Sequence, residues 1–539
     1  MFNCSLLACI EKIQQALPPS SLSFPTLMSL FTDTSLVAGT LLICLVGYLL
    51  RKSKAEIPLP PGPKGLPVIG ALLDFPTSKP WETYSKWAKE YGPLTGLTLL
   101  GQPIIIIEDK ETAIAILDKT GTAIADRPST AMLEMTGWTN VLACLLYGPR
   151  FREYRKHFAR AIGSSTAVQR FFPVINYRAS EFVNNILNAK SPQDLVNVIN
   201  KNIGAIMLYT AYGINLKGDP GHAELMQIAE EGPKEFDIAA NPGWLVNYIP
   251  IMQHLPSWFP GTAFKREAAR SKEVVLGISD ALFQAHKLRS DDGTPIPSLA
   301  GDYMSDDTTM TEEQISNLKW STGSFFSAGV DTTASTTTSY FLAMMLHPEV
   351  QEKLQREVDS VVGSHRLPEL ADRPNMPYAT AVHKELFRWL PAGPAGVPHK
   401  ARENVSYGQY VIPNGAMVIA NIWGMLHNPA VYKDPFTFNP ERHLGPTPEP
   451  DPLDVAFGFG RRVCPGNNIA DNIIWCFLTN VAATVNVKKP VVDGKVVEPP
   501  VEQCHGTVSR PALFDYDISP RRDLSTVHQL TGHVIDAWH

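Results

Sequence analysis

The chain has 539 residues, 44% of them apolar and 19% charged, with a formal net charge of −6. That is enough apolar sequence for a large core, and the acidic balance excludes nucleic acid as a general partner. Seven cysteines, at positions 4, 9, 44, 144, 464, 476 and 504, are few, odd in number and scattered. They form no disulfide framework and suit a reducing compartment.

Near the N-terminus Leu6, Ile10, Ile13 and Leu17 recur at helical spacing. This reads equally well as a weak interfacial helix or as a disordered leader. The sequon Asn3-Cys4-Ser5 leaves glycosylation of Asn3 open. Residues 34–50 are uncharged and mostly apolar, and Arg51, Lys52 and Lys54 follow at once. As a helix they would span about 25 Å, close to the roughly 30 Å hydrocarbon core and closer to the thinner endoplasmic reticulum membrane. Cations after the apolar run predict a single-pass anchor with residues 1–33 lumenal and the bulk of the chain cytosolic. A cleaved secretory signal would carry its charges first. Residues 51–67 are basic and proline-rich, and Leu59-Pro60-Pro61-Gly62-Pro63-Lys64-Gly65-Leu66-Pro67 reads as a semi-rigid spacer that cannot be helical. Residues 68–539 are expected to form one large domain, mainly α with small β-sheets. Short strands are predicted at Pro103 to Ile107 and Tyr410 to Ile412, and the acidic, polar run Ser290 to Asp307 reads as a surface loop.

Thr311-Glu312-Glu313-Gln314 is a capping-box signal, and a helical pattern runs from it to about Leu346, where His347-Pro348 stops it. In its middle Ala328-Gly329-Val330-Asp331-Thr332-Thr333 interrupts apolar sequence. A carboxylate buried there is costly unless paired or used; the other reading is a solvated strip of Thr and Ser. Glu385 and Arg388 share one face of a helix predicted from about Ala379 to Leu390. The same spacing at Glu267 and Arg270 shows that it is weak alone, because a solvated ion pair is the ordinary outcome. Further on, Cys464 stands between glycines, behind an aromatic residue and a cation, just before the apolar run Ile469 to Val485. If that run is a buried helix, Cys464 lies near its N-terminus, where negative charge is favoured. A thiolate there can ligate a metal, and glycines let backbone approach a flat cofactor and turn N–H groups towards sulfur. The alternative is a small buried hydrophobe.

Phe457-Gly458-Phe459-Gly460-Arg461-Arg462-Val463-Cys464-Pro465-Gly466 resembles the haem-binding loop of the cytochrome P450 family, with all five fixed positions matched. The resemblance implies haem b with Cys464 as the axial iron ligand, in a loop shaped by Phe457, Gly460 and Gly466. The Ala328 to Thr333 segment resembles the family's oxygen-activation segment. It implies that Thr332 hydrogen-bonds the oxygen being activated and that Asp331 joins it to a proton-delivering network. Phe438-Asn439-Pro440-Glu441-Arg442-His443-Leu444 resembles the Pro-Glu-Arg-Phe segment, with His443 in place of Phe. It implies a buried Glu385–Arg388–Arg442 triad bracing the cysteine loop. Tyr147 to Lys156 resembles the Trp-x-x-x-Arg helix, with Phe151 in place of Trp, and implies a haem propionate on Arg155. Arg462 and His399 are further propionate partners by the same resemblance.

The proline-rich run resembles the hinge of microsomal members. Ala125-Asp126-Arg127-Pro128, Pro256 to Gly261, Phe387-Arg388-Trp389 and the tail Gly506 to Arg521 resemble multigene fungal members of the O-methylsterigmatocystin oxidoreductase type. No Gly-x-Gly-x-x-Gly fingerprint or flavin domain is present, so electrons must come from outside. By resemblance the donor is a membrane-bound NADPH–cytochrome reductase, with cytochrome b5 as an optional second donor. The expected substrate is a lipophilic small molecule, a terpenoid or similar secondary metabolite, with polyketide or indole-alkaloid oxidation and xenobiotic detoxification as alternatives. Ser129 to Leu146 and Phe236 to Phe264, with Met132, Leu133, Met135, Trp138, Trp244, Trp258 and Phe259, are expected to line its pocket. Two competing functions are a haem-thiolate isomerase or dehydratase, against which Asp331 and Thr332 speak, and a non-catalytic haem or lipid-binding membrane protein.

Overall fold

The structure is a computed structural model that describes residues 58–215, 222–240, 243–247, 249–291, 296–304, 310–504 and 506–538. The leader, the anchor at 34–50 and the basic start of the hinge lie outside the described residues. Among the described residues no helix is long and apolar enough to cross a membrane. Leu59–Gly65 and Ile69–His539 form one compact unit, which carries every residue discussed below; Pro58 and Leu66–Val68 belong to a second.

The longer helices are α1 (Pro80–Tyr91), α2 (Pro149–Ile162), α3 (Phe172–Ile186), α4 (Pro192–Tyr212), α5 (His222–Ala240), α6 (Ala263–Asp291), α7 (Glu312–Leu346), α8 (Pro348–Val362), α9 (Pro377–Trp389), α10 (Asn467–Thr484) and α11 (Leu524–Ala537). The main sheet joins β1 (Leu94–Leu99), β2 (Gln102–Ile107), β3 (His399–Lys400) and β6 (Met417–Ala420) in the order β1-β2-β6-β3; β4 (Val405–Tyr407) and β5 (Tyr410–Ile412) form a hairpin. β2 runs parallel to β6, and β3 is antiparallel to β6, with His399 opposite Val418. The run Ile104 to Ile107 has no polar face because both faces are covered. Ile105 and Ile107 enter one apolar cluster and Ile104 and Ile106 another, as a period of two requires.

α7 opens on the expected capping box, with Thr311 Oγ1 accepting from Gln314 N–H, and passes through the largest apolar cluster. It packs on α4 so closely that a Cβ on Gly329 would lie 2.5 Å from Met207 Sδ. A larger residue at 329 would therefore have to push the flexible Met207 side chain aside.

Three expectations change. The run 290–307 is not all surface: Ser298, Leu299 and Ala300 are fully buried. The N–H groups of Leu299 and Ala300 bond Thr210 O at 2.9 Å and Ala211 O at 3.0 Å, capping last-turn carbonyls of α4 that otherwise lack partners. The part of the proline-rich spacer around Pro61 is docked: Gly96 N–H of β1 donates to Pro61 O at 3.0 Å. Finally, α11 follows the expected tail, held by buried Val527 and Leu530 and by Trp538 stacked on Tyr177 at 5.3 Å.

A Cβ on Gly62 would fall 2.0 Å from Gly96 O, a backbone atom that cannot step aside. Gly62→Ala should therefore undock residues 60–62, cost about 1–3 kcal/mol in urea denaturation and open this segment to limited proteolysis. Unchanged stability and protection would show that the segment is a free spacer.

Candidate active site

The cysteine loop runs from Phe457 to Gly466. Gly458 and Gly460 have φ of +77° and +58°, and Cys464 N–H closes the loop on Phe457 O at 2.9 Å. Gly466 is the N-cap of α10, which starts two residues before the sequence pattern indicated. The Cys464 thiol faces a cavity of about 320 Å³. Burial pushes its pKa up, against the Gly466 N–H and the Arg155 guanidinium, which pull it down. The apolar surroundings thus outweigh the helix-end donors expected to make it acidic.

α7 forms the facing wall through Ala328, Gly329, Thr332, Thr333 and Thr336. Thr332 Oγ1 donates to Ala328 O at 2.8 Å, so its own proton is committed within the helix and its lone pairs remain to accept a hydrogen bond. Asp331 does not line the cavity; its carboxylate is ion-paired with Arg510.

Three guanidiniums and an imidazole reach this space. Arg155 on α2 donates to Val463 O at 2.6 Å. Arg462 donates to Ala125 O at 2.6 Å and Leu145 O at 2.7 Å, and lies over the Phe151 ring at 4.0 Å. The aromatic residue that replaces Trp here therefore serves as a cation–π platform. Arg127 donates to Val397 O at 2.6 Å and Pro398 O at 2.8 Å. His399 Nδ1 pairs with Ile124 O at 2.9 Å and must carry a proton there. Among the described residues none of the three arginines has a carboxylate at ion-pair distance, and Arg127 Nε is buried without any partner. Burial, with the Arg462 charge beside it, lowers the Arg127 pKa to about 9, and burial lowers the Arg462 pKa to about 10 against the opposing charge of Asp126. Burial, with Arg127 beside it, lowers that of His399 to about 3. Such a cluster needs an anion. A planar dicarboxylate carrying iron for the Cys464 sulfur satisfies the orphaned donor, the unpaired cations and the thiol together, so the residues present fit haem.

Glu385 and Arg388 are fully buried on α9. Glu385 accepts five hydrogen bonds: two from Arg388 at 2.8 Å, one from Arg442 Nε at 3.1 Å, one from Asn439 N–H at 2.8 Å and one from His443 Nε2 at 2.9 Å. Burial pushes its carboxyl up, but His443, Arg388 and Arg442 overcome this and hold it at about 2. Arg442 also pairs with Glu449 at 2.7 Å. Between Glu385 and Arg388 on α9, Phe387 sets its ring 5.2 Å from Phe457, whose carbonyl anchors Cys464 N–H. The expected triad is thus a larger cluster, and His443, the departure from the family pattern, is one of its donors.

Of the sequence-derived set, Cys464, Phe457, Gly466, Arg155, Arg462, His399 and Thr332 line the cavity. Gly460 does not; a Cβ on it would meet Leu117 O at 2.2 Å, so it lets the loop pass close to neighbouring backbone. The expected substrate stretches are largely elsewhere. Val141, Leu142 and Ala143 line the cavity, but Met132 packs with Val246 and Phe264 in a separate cluster, and Trp258 is 80% exposed. Arg127, Arg510 and His443 were missed as site residues, although each sits inside a quoted motif or tail.

A mainly helical fold in which a half-buried cysteine faces a long helix across an apolar cavity that three arginines reach defines a haem-thiolate class of protein. The chain belongs to the cytochrome P450 family: the family model described as Cytochrome P450 matches residues 60–511. Among curated relatives, cytochrome P450 monooxygenase 208 of Postia placenta is 37% identical over 90% of this chain and 94% of its own length. Cytochrome P450 monooxygenase claR of Ampulloclitocybe clavipes is 37% identical over 91% of each chain, and O-methylsterigmatocystin oxidoreductase of Aspergillus flavus is 34% identical over 90% and 92%. The protein is a cytochrome P450 monooxygenase by family.

Glu385→Gln should cost about 3–5 kcal/mol at neutral pH, because it leaves buried cations uncompensated. The Glu385 pKa is lowered on folding, so its contribution is present above the unfolded value near 4.5 and lost as pH falls towards about 2. Urea denaturation should show the gap between wild type and variant closing over that window; a constant gap would contradict the assignment. Gly458→Ala should cost about 1 kcal/mol for its left-handed backbone alone. Gly460→Ala should cost several times more and impair haem loading, because it adds a backbone clash; equal effects on thermal stability would contradict this reading.

Proposed function

We propose that the protein is a membrane-anchored haem-thiolate monooxygenase that inserts one oxygen atom from O2 into a lipophilic secondary metabolite, with a terpenoid as the leading class. The observation that carries this reading is the mainly apolar cavity with Cys464 on one wall and Thr332 on the other. The fungal relatives named as monooxygenases support the oxidative class.

Haem bound through Cys464 supplies dioxygen activation and C–H oxidation, with the thiolate favouring O–O cleavage. Cys464 would hold the iron through its sulfur, and Arg127, Arg155 and Arg462 would hold the propionates. His399 lines the same space as a neutral imidazole, with its Nδ1 proton given to Ile124 O and its pKa lowered to about 3 by burial, so its Nε2 would accept there rather than donate. Thr332, which lines the cavity with its proton given to Ala328 O, would accept a hydrogen bond there, and Asp331 would supply protons from the other face of α7. Val141, Leu142, Phe325, Ile422 and Val508 exclude water and orient an apolar substrate. Thr332 and Asp331 favour this reading over a peroxide rearrangement, which needs no proton relay. Electrons come from NADPH through a separate reductase, with cytochrome b5 as an optional donor. Residues 34–50 place the protein in the endoplasmic reticulum membrane with its catalytic domain cytosolic.

Co-expression with a reductase, labelled dioxygen and a panel of terpenoid, polyketide and indole scaffolds tests the reading by mass spectrometry. One labelled oxygen in an NADPH-dependent product is expected; an unlabelled, NADPH-independent rearrangement product would overturn it. Thr332→Ala should divert a several-fold larger share of electrons into hydrogen peroxide, and unchanged coupling would remove Thr332 from the relay. Deleting residues 1–54 should release the haem-loaded protein from membranes; a pellet-bound truncation would show a second attachment.

A further inference from the structure

Met207 reaches the cavity from behind α7. It belongs to α4, is 1% exposed, and is the only methionine among the described residues on the cavity wall. It arrives there by way of Gly329. A Cβ at that position would lie 2.5 Å from Met207 Sδ and 3.1 Å from its Cε, so the glycine leaves the gap that the thioether fills. Ala328 and Thr332 border the same space. The sulfur therefore stands beside the segment assigned to oxygen activation, while its burial keeps it from oxidants in the bulk solvent.

A second feature points to the same spot. Thr333 also lines the cavity and is just as buried, and its Oγ1 has no hydrogen-bond partner. The hydroxyls around it are all bonded: Thr332 to Ala328 O at 2.8 Å, Thr336 to Thr332 O at 3.3 Å and Thr337 to Thr333 O at 2.9 Å. Thr333 follows Gly329 by four residues, which puts both on one face of α7, and its side chain leans back over the glycine's turn. A thioether sulfur is a weak acceptor and leaves this donor unsatisfied. A sulfoxide oxygen at the same place is a strong one.

We propose that Met207 is an oxidation site of this chamber, converted to its sulfoxide by hydrogen peroxide formed there, with the Thr333 hydroxyl donating to the new oxygen. The proposal rests on the monooxygenase reading above, which supplies the oxidant. Dioxygen that takes two electrons and two protons without reaching a substrate leaves as hydrogen peroxide. A sulfur lone pair then attacks one peroxide oxygen: the O–O bond breaks, an S–O bond forms, and the other oxygen leaves as water with both protons. Sulfur loses two electrons and the peroxide gains them. Thr333 stabilises the negative charge that gathers on the transferred oxygen. The product sets a polar oxygen where α4 and α7 touch through Gly329, so the modified enzyme turns over more slowly. The site acts as a brake when oxygen is reduced with no substrate in place.

The test uses the full-length haem-loaded protein with reductase, NADPH and isotopically labelled dioxygen, without substrate and with catalase to destroy peroxide that escapes. Peptide mapping by mass spectrometry should find one labelled oxygen on Met207. Its occupancy should be several-fold above that of Met344 and Met376, which are fully buried but border no part of the cavity. Thr333→Val should lower the occupancy several-fold, with peroxide release, measured in parallel without catalase, unchanged. Met207→Leu should load haem and start with wild-type oxygen uptake, but that uptake should decay several-fold more slowly. Label spread evenly over the buried methionines, label abolished by catalase, or an unlabelled Met207 in an enzyme that releases peroxide would overturn the proposal and leave the monooxygenase reading intact. Unchanged labelling in Thr333→Val would overturn the part given to its hydroxyl. If Met207→Leu fails to load haem, the peptide map of the wild type decides the matter alone. A wild type that consumes no oxygen with NADPH and reductase would instead sink the parent reading.

Discussion

The Cys464 sulfur stands at the start of α10 with one backbone N–H and a neighbouring guanidinium favouring its anion. Burial raises the Cys464 pKa against both. A metal removes that conflict, because coordination deprotonates a thiol outright. The opposite imbalance stands nearby, where Arg127, Arg155 and Arg462 converge with no carboxylate among the described residues at ion-pair distance and only the more distant charge of Asp126 opposing them at Arg462. Metal porphyrin answers both demands in one rigid plane. The two charge defects of the protein are a single binding site.

Holding that site falls to contacts some distance from the sulfur. Glu385 gathers α9 and the 439–443 segment around one carboxylate, Phe387 on the same helix packs on Phe457, and the Phe457 carbonyl receives Cys464 N–H. Buried ion networks of this kind add little net stability, yet leave a large penalty when one member is lost. Their effect is to fix the position of one backbone loop. His443 strengthens the network with a donor that a phenylalanine could not provide.

What could be read from the sequence was what is local. The capping box at Thr311, the length of α7, the Glu385 and Arg388 pair and the cysteine loop are each contained in a short run, with a period or spacing that determines the geometry. Partners distant in the chain were not legible. Nothing near Asp331 announces Arg510, 179 positions away, and nothing in Ala125 to Pro128 shows that Arg127 turns towards the cavity. Apolar composition misled for the same reason. Met132 and Trp138 are as hydrophobic as lining residues but are absorbed by packing against other helices. Polarity misled at 298–300, where backbone groups, rather than side chains, decide burial by capping α4.

In the proposed function the cofactor would supply the oxidising chemistry, while the chain would supply sulfur, counter-charges, a proton route and an apolar chamber. All of these lose their meaning if sulfur 464 does not bind iron. The most direct measurement is the difference spectrum of the dithionite-reduced, carbon-monoxide-treated full-length protein at verified haem content. The account predicts the red-shifted Soret band of a thiolate-ligated haem, lost in Cys464→Ala. A haem-loaded wild type without that band, or a Cys464→Ala protein that keeps it, would contradict the account.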